Sequence, residues 1–332
     1  MSIAGLGPHG ERGAPFEQLD ISEADAERAR LACFRLCVVL HTTTSDWAKQ
    51  ALKGIAATLD VYGASLDEVV DCGFQIDTQI RALGRLTDSA PDAIISIPVG
   101  GSAVADAHRR VSRAGVKLAL LDNGPTGLLP GSDYVSVISA DNFGLGTIGA
   151  RLLSPYIPPA GRVGILSYQA DFFATNEREI AFRKWMGSER PDIRLSAIKF
   201  PDLGSLAAIF TAFLDANPDL AGLFAVWDLP AMEAVKVLAA RGQCLPVTTV
   251  DLGNQAALAL AAGDFIKGIA AQRAYDQGVA VAKATITSLL GRDPPSWIVL
   301  PGLATQKANV AEAYQRIWHE APPAALCVPK AV

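Results

Sequence analysis

Long apolar runs are the first thing this 332-residue chain lacks. No stretch approaches the roughly 20 apolar residues that cross a bilayer as a helix. The most apolar helical stretch, near Ala256 to Ala262, is broken at once by Gly263 and Asp264. Basic excess is also missing. A count of 29 Lys and Arg against 34 Asp and Glu leaves a formal net charge of -5, which argues against electrostatic partnership with nucleic acid or an anionic membrane. Cysteine is scarce and unpatterned. The five, Cys33, Cys37, Cys72, Cys244 and Cys327, form no CxxC and no metal-type Cys/His spacing, so buried free thiols are expected, with Cys33 and Cys37 on one face around a strand. The opening MSIAGLGPHGERGAPFEQLD has no basic start followed by an apolar core. As given, it carries no export signal, which fits a cytoplasmic chain or one whose signal was removed.

Catalytic signatures are missing too. There is no P-loop, no GxSxG elbow, no HExxH and no pair of histidines at ligand spacing. Of His9, His41, His108 and His319, only His41 stands at the end of a strand-like run, and no nucleophile sits beside it. No enzyme activity, no cofactor and no metal are therefore expected. Two GxGxxG matches occur. Gly5 to Gly10 lies in the Gly- and Pro-rich opening, read as a mobile lead-in, with a proline inside the motif. Gly144-Leu-Gly146-Thr-Ile-Gly149 follows a strand, but one in mid-chain, and helix packing explains its glycines better than a dinucleotide does.

What is present is a well-buried composition. Half the residues are hydrophobic (50%), 19% are charged, and the mean hydropathy is +0.25. This length suits two lobes better than one core. Beyond a short helix in SEADAERARLA, apolar strand-like runs alternate with amphipathic helical ones. A first series runs from FRLCVVL to VKLALLD, and a second from VSVIS to PVTTVDL and NQAALALAAG. Uniformly apolar strands are buried on both faces, as in parallel sheets flanked by helices. Two series predict two doubly wound α/β lobes. A leftover strand and helix, IKGIAAQ and RAYDQGVAVAKATITSLLG, then WIVLPGLAT and ANVAEAYQRIWHE, predict that the chain crosses back between the lobes, with a ligand cleft there.

The stretch Leu40 to Ile55, LHTTTSDWAKQALKGI, reads as a strand end, a loop of hydroxyls and a helix capped by Ser45, with Asp46 and Trp47 in its first turn. Ligands of open parallel sheets sit beyond the carboxyl ends of strands. At such ends stand His41, Thr42, Thr44, Trp47, Asp122-Asn123, Asn176 with Arg178, Trp227-Asp228, Asp251 and Gln272.

In this order and spacing, these residues resemble the type I periplasmic binding proteins, specifically the ribose-binding-like sugar receptors of ABC importers, from about Phe34 to about Trp318. The resemblance implies two lobes joined by a three-strand hinge near Ser139 to Asn142, Gln272 to Ala274 and Leu300 to Leu303. It divides the chain into a lead-in (1–33), an N-terminal lobe (34–139 plus 274–299), a C-terminal lobe (140–273 plus 300–320) and a tail (321–332). It further implies a ligand site of Thr44, Asp46, Trp47, Asp122, Asn123, Asn176, Arg178, Trp227, Asp251 and Gln272, with His41, Thr42 and Asp228 at its margin. Trp47 and Trp227 would then sandwich a sugar ring from opposite lobes, while Asp, Asn and Arg pair with vicinal hydroxyls. The implied function is a monomeric periplasmic receptor that closes on a monosaccharide, amino sugar or polyol and delivers it to an ABC permease. Departures stand out: Asn123 replaces an arginine, Asp46 an aromatic and Trp227 an asparagine of the ribose-type pattern. They make ribose itself doubtful, and the acidic balance favours a neutral polyol or amino sugar over an acid or phosphate. Two other readings compete. A cytoplasmic sugar-responsive sensor could use the same core, though no basic recognition helix precedes it, and an enzyme would rest on the scaffold alone.

Overall fold

The computed structural model describes residues 3–327. Its first sheet has seven parallel strands in the order β1-β12-β6-β5-β4-β2-β3. These are β1 (Ala14–Pro15), β2 (Arg35–Leu40), β3 (Ser65–Asp71), β4 (Ala93–Ser96), β5 (Lys117–Leu121), β6 (Ser136–Ala140) and β12 (Trp297–Leu300). The second sheet has six strands in the order β13-β11-β10-β9-β7-β8. They are β7 (Arg162–Tyr168), β8 (Arg194–Phe200), β9 (Leu220–Ala225), β10 (Val247–Val250), β11 (Ile266–Ala271) and β13 (Leu303–Thr305), and only β13 runs antiparallel. The expected pair of doubly wound α/β lobes is present.

Both sheets reverse their strand order at the same place. Leaving aside the two-residue edge strand β1, each has a first strand (β2, β7) whose successor lies at the outer edge (β3, β8) and whose next strand lies on the other side (β4, β9). Such a switch point opens a crevice at the carboxyl ends of the strands. The residues after β2 and β7 therefore face a crevice in each lobe. Inner strands such as β4 and β6 are buried along their whole length, whereas β3 at the sheet edge alternates exposed and half-buried residues. Alternation is what a strand with one solvated face requires.

Helices α1 (Glu23–Ala32), α2 (Asp46–Val61), α3 (Ile76–Asp88), α4 (Ser102–Arg113) and α10 (Ala274–Leu289) belong to the first lobe. The second lobe carries α5 (Asn142–Leu153), α6 (Phe173–Glu189), α7 (Leu203–Ala216), α8 (Asp228–Ala240), α9 (Asn254–Ala262) and α11 (Val310–Trp318). Ser45 caps α2 as expected, its hydroxyl accepting the Ala48 N–H at 3.1 Å. Helices α2 and α10 cross in near backbone contact. A Cβ on Gly54 would sit 2.1 Å from the Tyr275 carbonyl oxygen, and one on Gly278 2.0 Å from that of Ala51. Only glycine permits this approach. The second GxGxxG match has the same explanation, for a Cβ on Gly146 would lie 2.2 Å from the Arg178 carbonyl oxygen, where α5 packs on α6.

The chain passes between the sheets three times: from β6 through Asp141 into α5, from β11 through Gln272 and Arg273 into α10, and from β12 through Pro301 and Gly302 into β13. Two expectations are corrected here. The lead-in is docked rather than loose: Ala14–Pro15 pair with β12, Leu19 is buried, and the backbone N–H groups of Ala4 and Gly5 donate to the Asp141 carboxylate at 2.8 and 3.0 Å. The thiols are not uniformly buried either. Cys37 and Cys72 are, but Cys33, in a left-handed turn after α1, is exposed, as are Cys244 and Cys327. Of the expected tail, residues 328–332 lie outside the described part.

Asp141 also accepts the Gly144 N–H at 2.9 Å, capping α5. Replacing it (Asp141→Ala) strands three donors at one crossing, so unfolding free energy should drop by about 1 to 3 kcal/mol in urea titration.

Candidate functional site

A pocket of about 560 Å³, its open mouth included, lies between the two sheets and is walled by strand-end residues of both. From the first lobe come His41, Thr42, Ser45 and Trp47 after β2, Phe74 after β3 and Asp122 after β5; from the second come Tyr168, Phe172 and Thr175 around β7, Arg178 on α6, Trp227 and Asp228 after β9, and Asp251 after β10. Gln272, at a crossing between the lobes, lines the pocket as well.

Aromatic rings run round the wall from lobe to lobe. Trp47 meets His41 at 6.0 Å between centroids, His41 meets Phe74 at 4.9 Å, Phe74 meets Tyr168 at 6.2 Å, and Tyr168 meets Trp227 at 5.3 Å with the planes at 90°. Edge-to-face contacts of this kind hold rings in fixed orientations. Two walls of the pocket are thus apolar and rigid.

The polar wall centres on Arg178, which is 3% exposed. Its Nε donates to Asn142 Oδ1 at 2.9 Å and its Nη1 to the Val226 carbonyl at 3.0 Å. Among the described residues its Nη2 makes no hydrogen bond, and it stands 3.9 Å from Asp122 Oδ2. Asp122 Oδ1, Trp47 Nε1 and His41 Nδ1 are likewise buried without a partner among the described residues. Buried polar atoms are ordinarily paired. Four orphans around one pocket mark it as a place for a molecule rich in hydrogen-bonding groups.

Asp122 and Asp251 each end a strand in the left-handed region, with φ of 60° and 74°. Aspartate tolerates this conformation better than most residues, and such strain collects at functional positions. Burial pushes the Asp122 carboxyl up to about 6, with Arg178 pulling against it and Asp251 adding to it. Asp251 is raised by burial, opposed by Arg178 and by the Gln272 amide that donates to its Oδ1. Asp228 is raised to about 8, by burial and then by the nearby Asp251; its Oδ2 accepts the Gly253 N–H at 2.9 Å. His41 is held neutral, burial depressing it to about 4.

Of the residues expected from sequence, Trp47, Asp122, Arg178, Trp227, Asp251 and Gln272 line this pocket, together with His41, Thr42 and Asp228. Four others do not, and each has another occupation. Thr44 is exposed and hydrogen-bonds Thr42. Asn176 donates to Asp171 beside it. Asp46 reaches across the cleft, accepting the backbone N–H of Asn254 at 2.8 Å and its amide at 3.2 Å, and so caps α9 of the other lobe. Asn123, also from the first lobe, does the same elsewhere along the cleft: its Oδ1 accepts the Phe173 N–H at 2.9 Å at the start of α6, while its Nδ2 donates to the Pro98 carbonyl. These two side chains fasten lobe to lobe. Sequence reasoning missed Phe74, Tyr168, Phe172 and Thr175, and took Ser45 only as a cap. Tyr168 and Phe74 stand at or just beyond strand ends, so the rule that selected Asp122 and Asp251 would have found them.

A match to the periplasmic binding protein domain covers residues 36–293. The chain belongs to that family. Among relatives, the D-ribose/D-allose-binding protein of Pseudomonas aeruginosa is 23% identical over 84% of this chain and 88% of its own length. An ABC transporter solute-binding protein from Agrobacterium vitis, solved with α-D-tagatopyranose, superposes with a TM-score of 0.79 at 24% identity, covering 86% of this chain and 100% of that one. Another, from Mycobacterium smegmatis with bound glycerol, has a TM-score of 0.77 at 21% identity, covering 84% and 96%. The pocket described above thus occupies the cleft between the lobes of a periplasmic binding protein.

The raised Asp228 carboxyl makes a sign-definite prediction. Between the ordinary aspartate range near about 4 and its raised value, the folded chain keeps a proton that the unfolded chain releases, so this group costs stability increasingly as pH rises through that window. Asp228→Asn removes the cost. Denaturant unfolding should find the variant gaining on the parent from about pH 4 to about pH 8, the gain levelling above that; a pH-independent difference would show that Asp228 ionises normally.

Proposed function

We propose that this protein is the solute receptor of an ABC importer, binding one monosaccharide, amino sugar or polyol between its lobes and presenting the closed form to a membrane permease. The observation that carries this reading is the set of unpartnered buried atoms, Trp47 Nε1, His41 Nδ1, Asp122 Oδ1 and Arg178 Nη2, converging from both lobes between aromatic rings. A polyhydroxylated molecule has hydroxyls that both donate and accept, and C–H faces that suit flat rings. The named ligands of the related receptors, ribose or allose, tagatose and glycerol, are of that kind. The periplasm is the compartment this role implies, and a monomer suffices for it, since both walls of the pocket come from one chain. On this reading the carboxylates and the guanidinium hold a molecule rather than turn it over.

Binding is coupled to closure because each lobe supplies half the contacts. The Asp46 and Asn123 bonds across the cleft form only when the lobes are together, so they favour the shut state without touching the ligand. In Asp46→Ala the α9 N-terminus loses its cap, and the dissociation constant should rise about tenfold, with scattering from the unliganded protein showing a more extended shape.

A thermal-shift panel of pentoses, hexoses, amino sugars and polyols tests the class directly. A ligand at a hundredfold its dissociation constant adds about 2.7 kcal/mol of stability. One stereochemical series should shift the transition clearly, and silence across the panel would remove the carbohydrate reading. Trp227→Ala should then weaken the best ligand by about 1 to 3 kcal/mol, the range seen for stacking on aromatic side chains.

A further inference from the structure

The pocket has three buried aspartates and one guanidinium. Asp122, Asp228 and Asp251 are 8%, 9% and 7% exposed, and Arg178 is the one permanently cationic side chain on the wall among the described residues. Arg178 stands beside Asp122. Asp251 receives the neutral Gln272 amide and Asp228 the neutral Gly253 N–H, and among the described residues neither is ion-paired. A third carboxylate approaches from the first lobe. A Cβ on Gly253 would meet Asp228 Oδ2 at 2.5 Å and Asp46 Oδ2 at 3.2 Å, so Asp46 lies close to the pair across the cleft. Its own cation, Lys49, is an exposed side chain at 3.8 Å. The other titratable groups on the wall, His41 and Tyr168, bring no positive charge: His41 is neutral near pH 7 and burial raises Tyr168.

Like charges in a desolvated site stay together only if one is protonated or a cation joins them. A neutral sugar can accept or donate hydrogen bonds here, but it brings no counter-charge, so the carboxylates must go on sharing a proton. An acid or a phosphate would add negative charge to them. An ammonium group supplies charge and three donors at once.

Resting on the reading above, we infer that the ligand carries an ammonium group, received by Asp228 and Asp251, and is an amino sugar or an aminated polyol. Its hydroxyls meet Arg178, Asp122, Trp47 and His41, where the unpartnered atoms are. Burial and their mutual repulsion keep a proton on the Asp228–Asp251 pair in the empty pocket. Binding of the ammonium form therefore expels that proton to solvent, leaving both carboxylates ionised around the cation.

The test is calorimetric titration of the full chain with matched pairs: glucosamine, galactosamine and mannosamine against glucose, galactose and mannose, and 1-amino-1-deoxyglucitol against glucitol. At least one amine should bind about tenfold tighter than its hydroxyl counterpart, and its N-acetyl derivative, which lacks the charge, should lose that advantage. Repeating the titration in buffers of different ionisation heat should show protons released by the amine and none by the neutral partner. In Asp228→Asn the ratio of amine to neutral affinity should fall toward one. A neutral member binding as tightly as its amine overturns this inference and leaves the sugar receptor standing; no carbohydrate binding at all overturns both.

Discussion

Taking the guanidinium of Arg178 out of water sets the terms for the rest of the cleft. A buried cation is tolerated only where its hydrogen bonds are met and a counter-charge is at hand. Two of its nitrogens are met by Asn142, the first residue of α5 after a crossing, and by the Val226 carbonyl, the residue before Trp227. One side chain thereby fixes the start of α5, the end of β9 and the orientation of α6. The third nitrogen is left to Asp122 of the other lobe and to whatever fills the pocket. The close approach at Gly146 is part of the same arrangement, because it brings α5 near enough to α6 for Asn142 to reach Arg178.

Fastening the lobes is a separate task, given to side chains that do not line the pocket. Asp46 caps a helix of the second lobe from the first, and Asn123 serves the start of α6 in the same way. Helix N-termini carry unpaired N–H groups and partial positive charge, so an acceptor from the opposite lobe gains most by docking there. When the cleft opens, water takes over those donors at modest net cost. Such contacts bias closure gently, leaving the larger share to the ligand.

Much of this was legible in the sequence, for definite reasons. Buried parallel strands are apolar throughout, and helices announce themselves by caps such as Ser45 and by amphipathic spacing, so the two-lobe architecture could be read from pattern alone. The pocket residues Asp122, Asp251 and Trp227 could be found because strand ends are where this architecture puts ligands. What pattern does not carry is the direction of a side chain over one further turn. Asp46 and Trp47 are neighbours in the first turn of α2, yet the indole faces the pocket and the carboxylate crosses to α9. The lead-in was misread for a related reason. Its Gly and Pro content suggests a loose segment, but two backbone N–H groups and a two-residue pairing seat it, and Gly13 beside that pairing lets the backbone lie against Val299, where a Cβ would come within 2.2 Å.

That seating joins the lead-in to the moving part of the molecule. Asp141, which receives Ala4 and Gly5, is the residue through which β6 passes into α5, and β12, which pairs with Ala14–Pro15, is the strand that leads to a second crossing. The segment thus touches two of the three connections about which the lobes must turn. A carboxylate that already caps α5 cannot rotate freely without giving up bonds to Gly144, Ala4 or Gly5. If the lobes turn as the proposed receptor role requires, that crossing is held by a short docked segment, which leaves the other two connections, Gln272–Arg273 and Pro301–Gly302, as the ones with fewer bonds to give up.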